Sequence, residues 1–225
     1  MSEIWSAEYT AKKGDVSLYM LRKHLGTPDK AKPKPVLFLV HGSSFSGPSG
    51  FDLTVNGSKE YSLMDEFARR GYDVWTMDHE GYGRSEWRDG YRATIADGAE
   101  DLKAGVAVVE RETGLKSYYF YGQSSGALRL ASFAAASPGS CARICLDAFV
   151  WTGEGAPTLI ERRKKLDQWT SSHKRSVDRA FYHSIFNRDL PGTSEPAIPD
   201  ALADAEGPLC SEVPTGTYAD MCANL

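Results

Sequence analysis

Apolar and polar residues alternate along residues 8–25 around Lys13-Gly14-Asp15, which predicts an antiparallel β-hairpin at the edge of a sheet. A turn-rich connector follows, with Pro28, Pro33 and Pro35. Val36-Leu37-Phe38-Leu39-Val40 then runs without a polar break into His41-Gly42, the pattern of a strand buried on both faces of a parallel sheet. Leu63, Met64 and Phe67 next form a helical stripe that stops at Gly71, and residues 72–77 predict another strand. Ala99, Leu102, Val106 and Val109 share one face of a long helix closing at Gly114. The aromatic run 117–121 predicts a strand, and Leu128, Ala131 and Ala135 a helix ended by Pro138-Gly139. Residues 142–146 predict one more strand. Strands separated by helices imply right-handed βαβ units and a mostly parallel, doubly wound α/β sheet.

The pattern changes after Trp151. Residues 158–173 are highly charged, with a thin stripe of Leu159, Ile160 and Leu166. Val177, Ala180, Phe181 and Ile185 recur at helical spacing within residues 175–187. Residues 192–214 are rich in proline and small side chains, and a short helix is expected at 218–225. No strand is predicted beyond Phe149. The expected division is a core over residues 1–151 and a helical, cap-like segment over 152–225.

Candidate chemistry concentrates at Gly122-Gln123-Ser124-Ser125-Gly126, between a predicted strand and a predicted helix. A Gly-x-Ser-x-Gly turn in that setting lifts the serine hydroxyl out of the sheet, and the helix start behind it favours negative charge. Its glycines answer the need for a sharp reversal and close backbone approach.

Composition narrows the field. With 225 residues, 41% hydrophobic and 25% charged, the chain can build one sizeable core. A net charge of −4 gives no basic footprint for nucleic acid. No apolar run reaches the roughly 20 residues that cross a bilayer. The N-terminus lacks the basic and apolar regions of a secretion signal, so a cytoplasmic location is expected. Cys141, Cys145, Cys210 and Cys222 do not complete a zinc site, and no metal or other cofactor is expected. The neighbours Ile144 and Leu146 suggest that Cys145 is a buried core thiol.

Three ordered motifs together carry a family resemblance. His41-Gly42-Ser43-Ser44 follows the first buried strand, Asp78-His79-Glu80-Gly81-Tyr82-Gly83-Arg84-Ser85 follows the next, and the Ser124 turn follows the third. In this the chain resembles the α/β-hydrolases of the serine-nucleophile type, over most of residues 17–151. The resemblance implies that Ser124 attacks a carbonyl carbon and forms an acyl-enzyme. It implies that the amides of Ser125 and of Ser43 (or Ser44) hold the oxyanion. In this family the histidine at the place of His41 shapes the loop, and the 152–225 segment corresponds in position to a helical cap.

The resemblance breaks where the family places its last two core strands, with an acid and a histidine after them. Neither is found here. Asp147, at the end of the strand after Ser124, is the best acid candidate. His173 and His183 are the histidines that follow Ser124, and His79 would require an unusual arrangement. Either this chain is the N-terminal part of a longer hydrolase, or it is a short form whose base is absent or comes from another chain. An open sheet edge is expected in both cases, to be covered by a homo-oligomer or another partner.

The expected substrate is a small to medium acyl compound, with Phe45, Phe51, Trp151 and Trp169 as aromatics that could line its pocket. A serine nucleophile argues against dehalogenase and epoxide hydrolase chemistry and leaves lactonase and carbon–carbon hydrolase activity open. The competing reading is a binding or scaffold protein on a degenerate hydrolase fold. A nucleotide-binding α/β protein would need a glycine-rich phosphate loop, which this sequence lacks.

Overall fold

A computed structural model describes residues 3–150, 152, 154–187, 190–209 and 211–223. The alternating N-terminal segment forms the expected hairpin of β1 (Ile4–Lys13) and β2 (Val16–Leu25). The unbroken apolar run forms β3 (Val36–Val40), every residue of it buried. Within the loop after it lies a one-turn helix, α1 (Gly47–Phe51), followed by α2 (Leu63–Arg69) and β4 (Asp73–Met77). The long helix α3 (Ile95–Thr113) starts at a capping box of Thr94 and Asp97 and ends at Gly114 in the left-handed region. Such a cap is worth about 1 kcal/mol. Then come β5 (Tyr118–Gln123), α4 (Ser125–Ala136) and, after a short 3-10 turn at Pro138–Ser140, β6 (Cys141–Asp147).

Among the described residues these strands make one six-stranded sheet in the order β1-β2-β4-β3-β5-β6. The hairpin joins β4 antiparallel, and β4, β3, β5 and β6 run parallel. This is the mixed, mostly parallel sheet of the α/β-hydrolase type, with helices on both faces. Phe38, Trp75, Leu102, Phe120 and Leu130 pack on the α3/α4 side. Leu37, Leu39, Phe51, Met64 and Val74 pack on the α1/α2 side.

β6 departs from the expected burial. It is the outer strand of the sheet, and its residues 142–145 are exposed. Cys145 is therefore an exposed free thiol, not a core one. The register sets Cys145 beside Tyr121 and Arg143 beside Tyr119. Together with Leu63, Phe67 and Tyr72 they line an open groove of about 700 Å³ beside α2. The apolar neighbours in the sequence misled here, because burial depends on what covers the strand.

Residues beyond 151 form α5 (Pro157–Arg163), α6 (Leu166–Ser171), β7 (Lys174–Ser176), α7 (Arg179–Asn187), α8 (Ala197–Glu206), β8 (Glu212–Pro214) and α9 (Gly216–Ala223). The expectation of no strand beyond Phe149 is corrected: β7 and β8 pair antiparallel. Three residues each, they are too short to show a period. The proline-rich stretch holds a helix because Pro196 and Pro199 occupy the N-cap and first turn of α8, where no intrahelical N–H is needed. Trp151 and Cys210 lie outside the described residues. Among the described residues, no helix is long and apolar enough to cross a membrane.

Candidate active site

The turn between β5 and α4 is built by close backbone packing. A Cβ on Gly126 would collide with the carbonyl oxygens of Val40 and His41, and one on Gly122 would lie 2.8 Å from the Gly126 oxygen. Ser124 sits between them at φ 56°, ψ −125°, a conformation that L-residues rarely adopt. Its amide donates to the Asp147 carbonyl at 2.9 Å, and its carbonyl accepts from Ala127 N–H at 2.9 Å. Ser124 is exposed, whereas its neighbours Gly122, Ser125 and Gly126 are buried. Ser125 opens α4, so its N–H has no intrahelical acceptor.

Ser124 opens onto a pocket of about 270 Å³ lined by Leu128, Ala148, Val150, Pro157, Leu159 and Met221, among others. Phe45, Phe51 and Trp169 do not line it. Phe51 is in the core on the α2 side, and Trp169 packs edge-on against Tyr218 at 5.4 Å. The aromatic lining expected of those three is thus replaced by an aliphatic one, because the cap helices bring their own side chains.

Gly42 lies against the turn, since a Cβ there would stand 3.3 Å from Ser124 Cβ. His41 is wholly buried beside it. Its Nε2 accepts from the His79 amide at 3.0 Å, which leaves Nδ1 to donate to the Gly42 carbonyl at 2.7 Å. Burial, then the nearby His79 and Arg129, hold its pKa well below the usual histidine range, so the ring is neutral. Ser43 is buried, and its carbonyl accepts from Arg175 Nη2 at 2.7 Å.

The remaining histidines are engaged elsewhere. His79 Nδ1 meets Asp101 Oδ2 at 3.0 Å in a buried cluster with Lys13, and burial lowers its pKa well below the usual value. His173 lies edge-on to Trp87, His183 pairs with Asp200 at 3.0 Å, and His24 Nδ1 meets the Gly26 carbonyl. The Asp147 carboxylate accepts from Tyr121 O–H at 2.7 Å. The structure thus gathers Ser124, Ser125, Gly42 and the Asp147 backbone, and among the described residues brings no imidazole into hydrogen-bond contact with Ser124 or Asp147.

Sequence reasoning passed over two buried arginines that grip this loop. Arg129 and Arg175 read as ordinary charged residues of helical segments, and only the fold turns them inward.

Comparison with known proteins agrees with this architecture. Residues 31–179 match the Hydrolase_4 family model, described as "Serine aminopeptidase, S33". Human lipase member K is 27% identical over 129 residues, which are 53% of this chain and 31% of that protein. Among solved structures, a carboxylesterase of Bacillus subtilis shares the fold at a TM-score of 0.58 and 16% identity, covering 98% of this chain and 64% of its own. An epoxide hydrolase of Vigna radiata does so at 0.64 and 14%, covering 97% and 73%. The chain spans about a third of the curated relative's length and about two thirds to three quarters of these two structures. With its strand order, strand-to-helix turn and matched family model taken together, the chain belongs to the α/β-hydrolases of the Hydrolase_4 family.

Proposed function

We propose that this chain carries the nucleophile of a serine hydrolase that cleaves an ester or related acyl bond through an acyl-enzyme on Ser124. The observation that carries the reading is an exposed serine held at positive φ between β5 and α4, open to an apolar pocket. The hydroxyl oxygen attacks the carbonyl carbon and its proton passes to a base. The carbonyl oxygen becomes an oxyanion that the amides of Ser125 and Ser43 receive. Collapse expels the alcohol, which takes a proton, and water then releases the acid by the same route. Each oxyanion donor of this kind is worth about 3–4 kcal/mol of barrier. The ester chemistry named for the lipase and carboxylesterase relatives supports this substrate class. The pocket's size and aliphatic lining favour a small to medium acyl group.

Asp147 fills the acid role in this reading, standing at the end of β6 next to the turn. Because no imidazole among the described residues bonds Ser124 or Asp147, the second reading is a binding or scaffold protein without turnover. A fluorophosphonate separates the two, since it marks only an activated serine. The folded chain is expected to take the label, slowly, and Ser124→Ala to take none. A folded chain that stays unlabelled, or equal labelling of Ser124→Ala, overturns the hydrolase reading.

A further inference from the structure

Arg129 lies on the inner face of α4 and is wholly buried. Its Nη1 donates to the carbonyls of His41 at 3.3 Å and Gly42 at 3.4 Å. Among the described residues its Nε and Nη2 have no hydrogen-bond partner and no carboxylate forms an ion pair with it. The guanidinium stands 5.3 Å from the Tyr82 ring centre. Its stem rests on Gly98 of α3, where a Cβ would come 2.5 Å from Arg129 Cδ. A guanidinium keeps its charge inside a protein, and burying it without a contacting carboxylate is costly even though the charge of Asp220 is near enough to be felt. An apolar side chain would fill this space at far lower cost, so the charge calls for a role.

The geometry of the peptide unit supplies one. In a planar trans peptide the C=O and N–H point in opposite directions. The Gly42 carbonyl is turned inward onto Arg129 and His41 Nδ1, which turns the Ser43 N–H away from the buried guanidinium. Gly42 itself borders the nucleophile: a Cβ there would be 3.8 Å from Ser124 Oγ. From the other side, Arg175 of the cap binds the Ser43 carbonyl. Three consecutive carbonyls of this loop are therefore held by buried arginines. Their charge adds to the positive potential at the start of α4.

We propose that Arg129 is a positioning residue of the oxyanion loop: by seating the carbonyls of His41 and Gly42, it aims the Ser43 amide at the oxygen that becomes negative when Ser124 attacks. This rests on the serine-nucleophile reading above.

Fluorophosphonate kinetics resolve reversible binding from bond formation. Arg129→Met keeps the volume and removes charge and donors. The first-order labelling constant is expected to fall about tenfold, part of what a whole oxyanion donor contributes. The half-saturating concentration should stay within about twofold, because the pocket is untouched. Arg129→Lys restores the charge without the planar fork and should recover part of the loss. Gly98→Ala leaves the loop and both arginines in place in the sequence, favours the helix, and pushes the Arg129 stem aside. It should slow labelling while the melting transition stays cooperative. If Arg129→Met folds and labels at the parent rate, the positioning role is wrong while the serine reading stands. If Arg129→Met does not fold, an unchanged rate in Gly98→Ala overturns the proposal. An unlabelled parent chain removes the serine reading and this one with it.

Discussion

Two residues show how local sequence and burial divide the work around Ser124. Gly126 has no room for a methyl group, because a Cβ there would collide with the carbonyl oxygens of Val40 and His41. Gly126→Ala is expected to destabilise the fold by about 1–3 kcal/mol through overpacking. Urea titration reads this as a lower midpoint with an unchanged slope. That glycine was legible in the sequence, since a tight turn is a local demand. Asp78 was legible only as part of a turn motif. Its carboxylate accepts from the amides of Gly47 and Arg84, yet burial pushes its pKa up to about 7. The folded state thus favours protonated Asp78. Its contribution to stability is complete below about pH 4 and is lost as the pH rises towards 7. Stability curves of Asp78→Asn should lack that decline, and a parallel slope in both proteins would refute the assignment.

Between elements, one charge pair ties the hairpin to the parallel core. Arg22 of β2 forks onto Asp73, the first residue of β4, with Nε and Nη2 at 2.9 and 2.6 Å from its oxygens. Both are buried, and Arg22 also lies over Trp75 at 4.8 Å. Removing only the acid leaves a buried, unpaired guanidinium. Asp73→Ala is therefore expected to cost about 3–5 kcal/mol in denaturant titration. Strands β1 to β6 and helices α2 to α4 were legible because each carries an alternating, an unbroken apolar or a helical pattern. β7, β8 and α1 were not, being three to five residues long with mixed polarity. Their conformation comes from tertiary pairing.

Across the whole molecule, the cap segment is fastened to the core by buried polar contacts. Glu206 of α8 accepts from both the amide and the hydroxyl of Ser46, and Asp220 of α9 accepts from the Ile95 amide. The outer edge of the sheet is open at β6: Ile144 is 41% exposed beside the groove lined by Tyr119 and Tyr121. An uncovered strand edge next to apolar surface promotes association. The chain is expected to self-associate with rising concentration, and Ile144→Lys to lower the light-scattering mass. Identical scattering from both would remove the edge as the cause.

The order of strands and helices, the glycines of the turn and the position of Ser124 were determined by the sequence itself, because period, steric need and turn chemistry act over a few residues. Which side chains face the turn was decided only in three dimensions. Arg129 reaches the loop from 88 and 87 positions beyond the His41 and Gly42 carbonyls that it binds, and Arg175 from 132 positions beyond Ser43. The exposure of Cys145, the capture of Asp147 by Tyr121 and the withdrawal of His79 into the Asp101 cluster have the same origin. Burial and partnership depend on which distant segments close over a residue, and no local pattern encodes that.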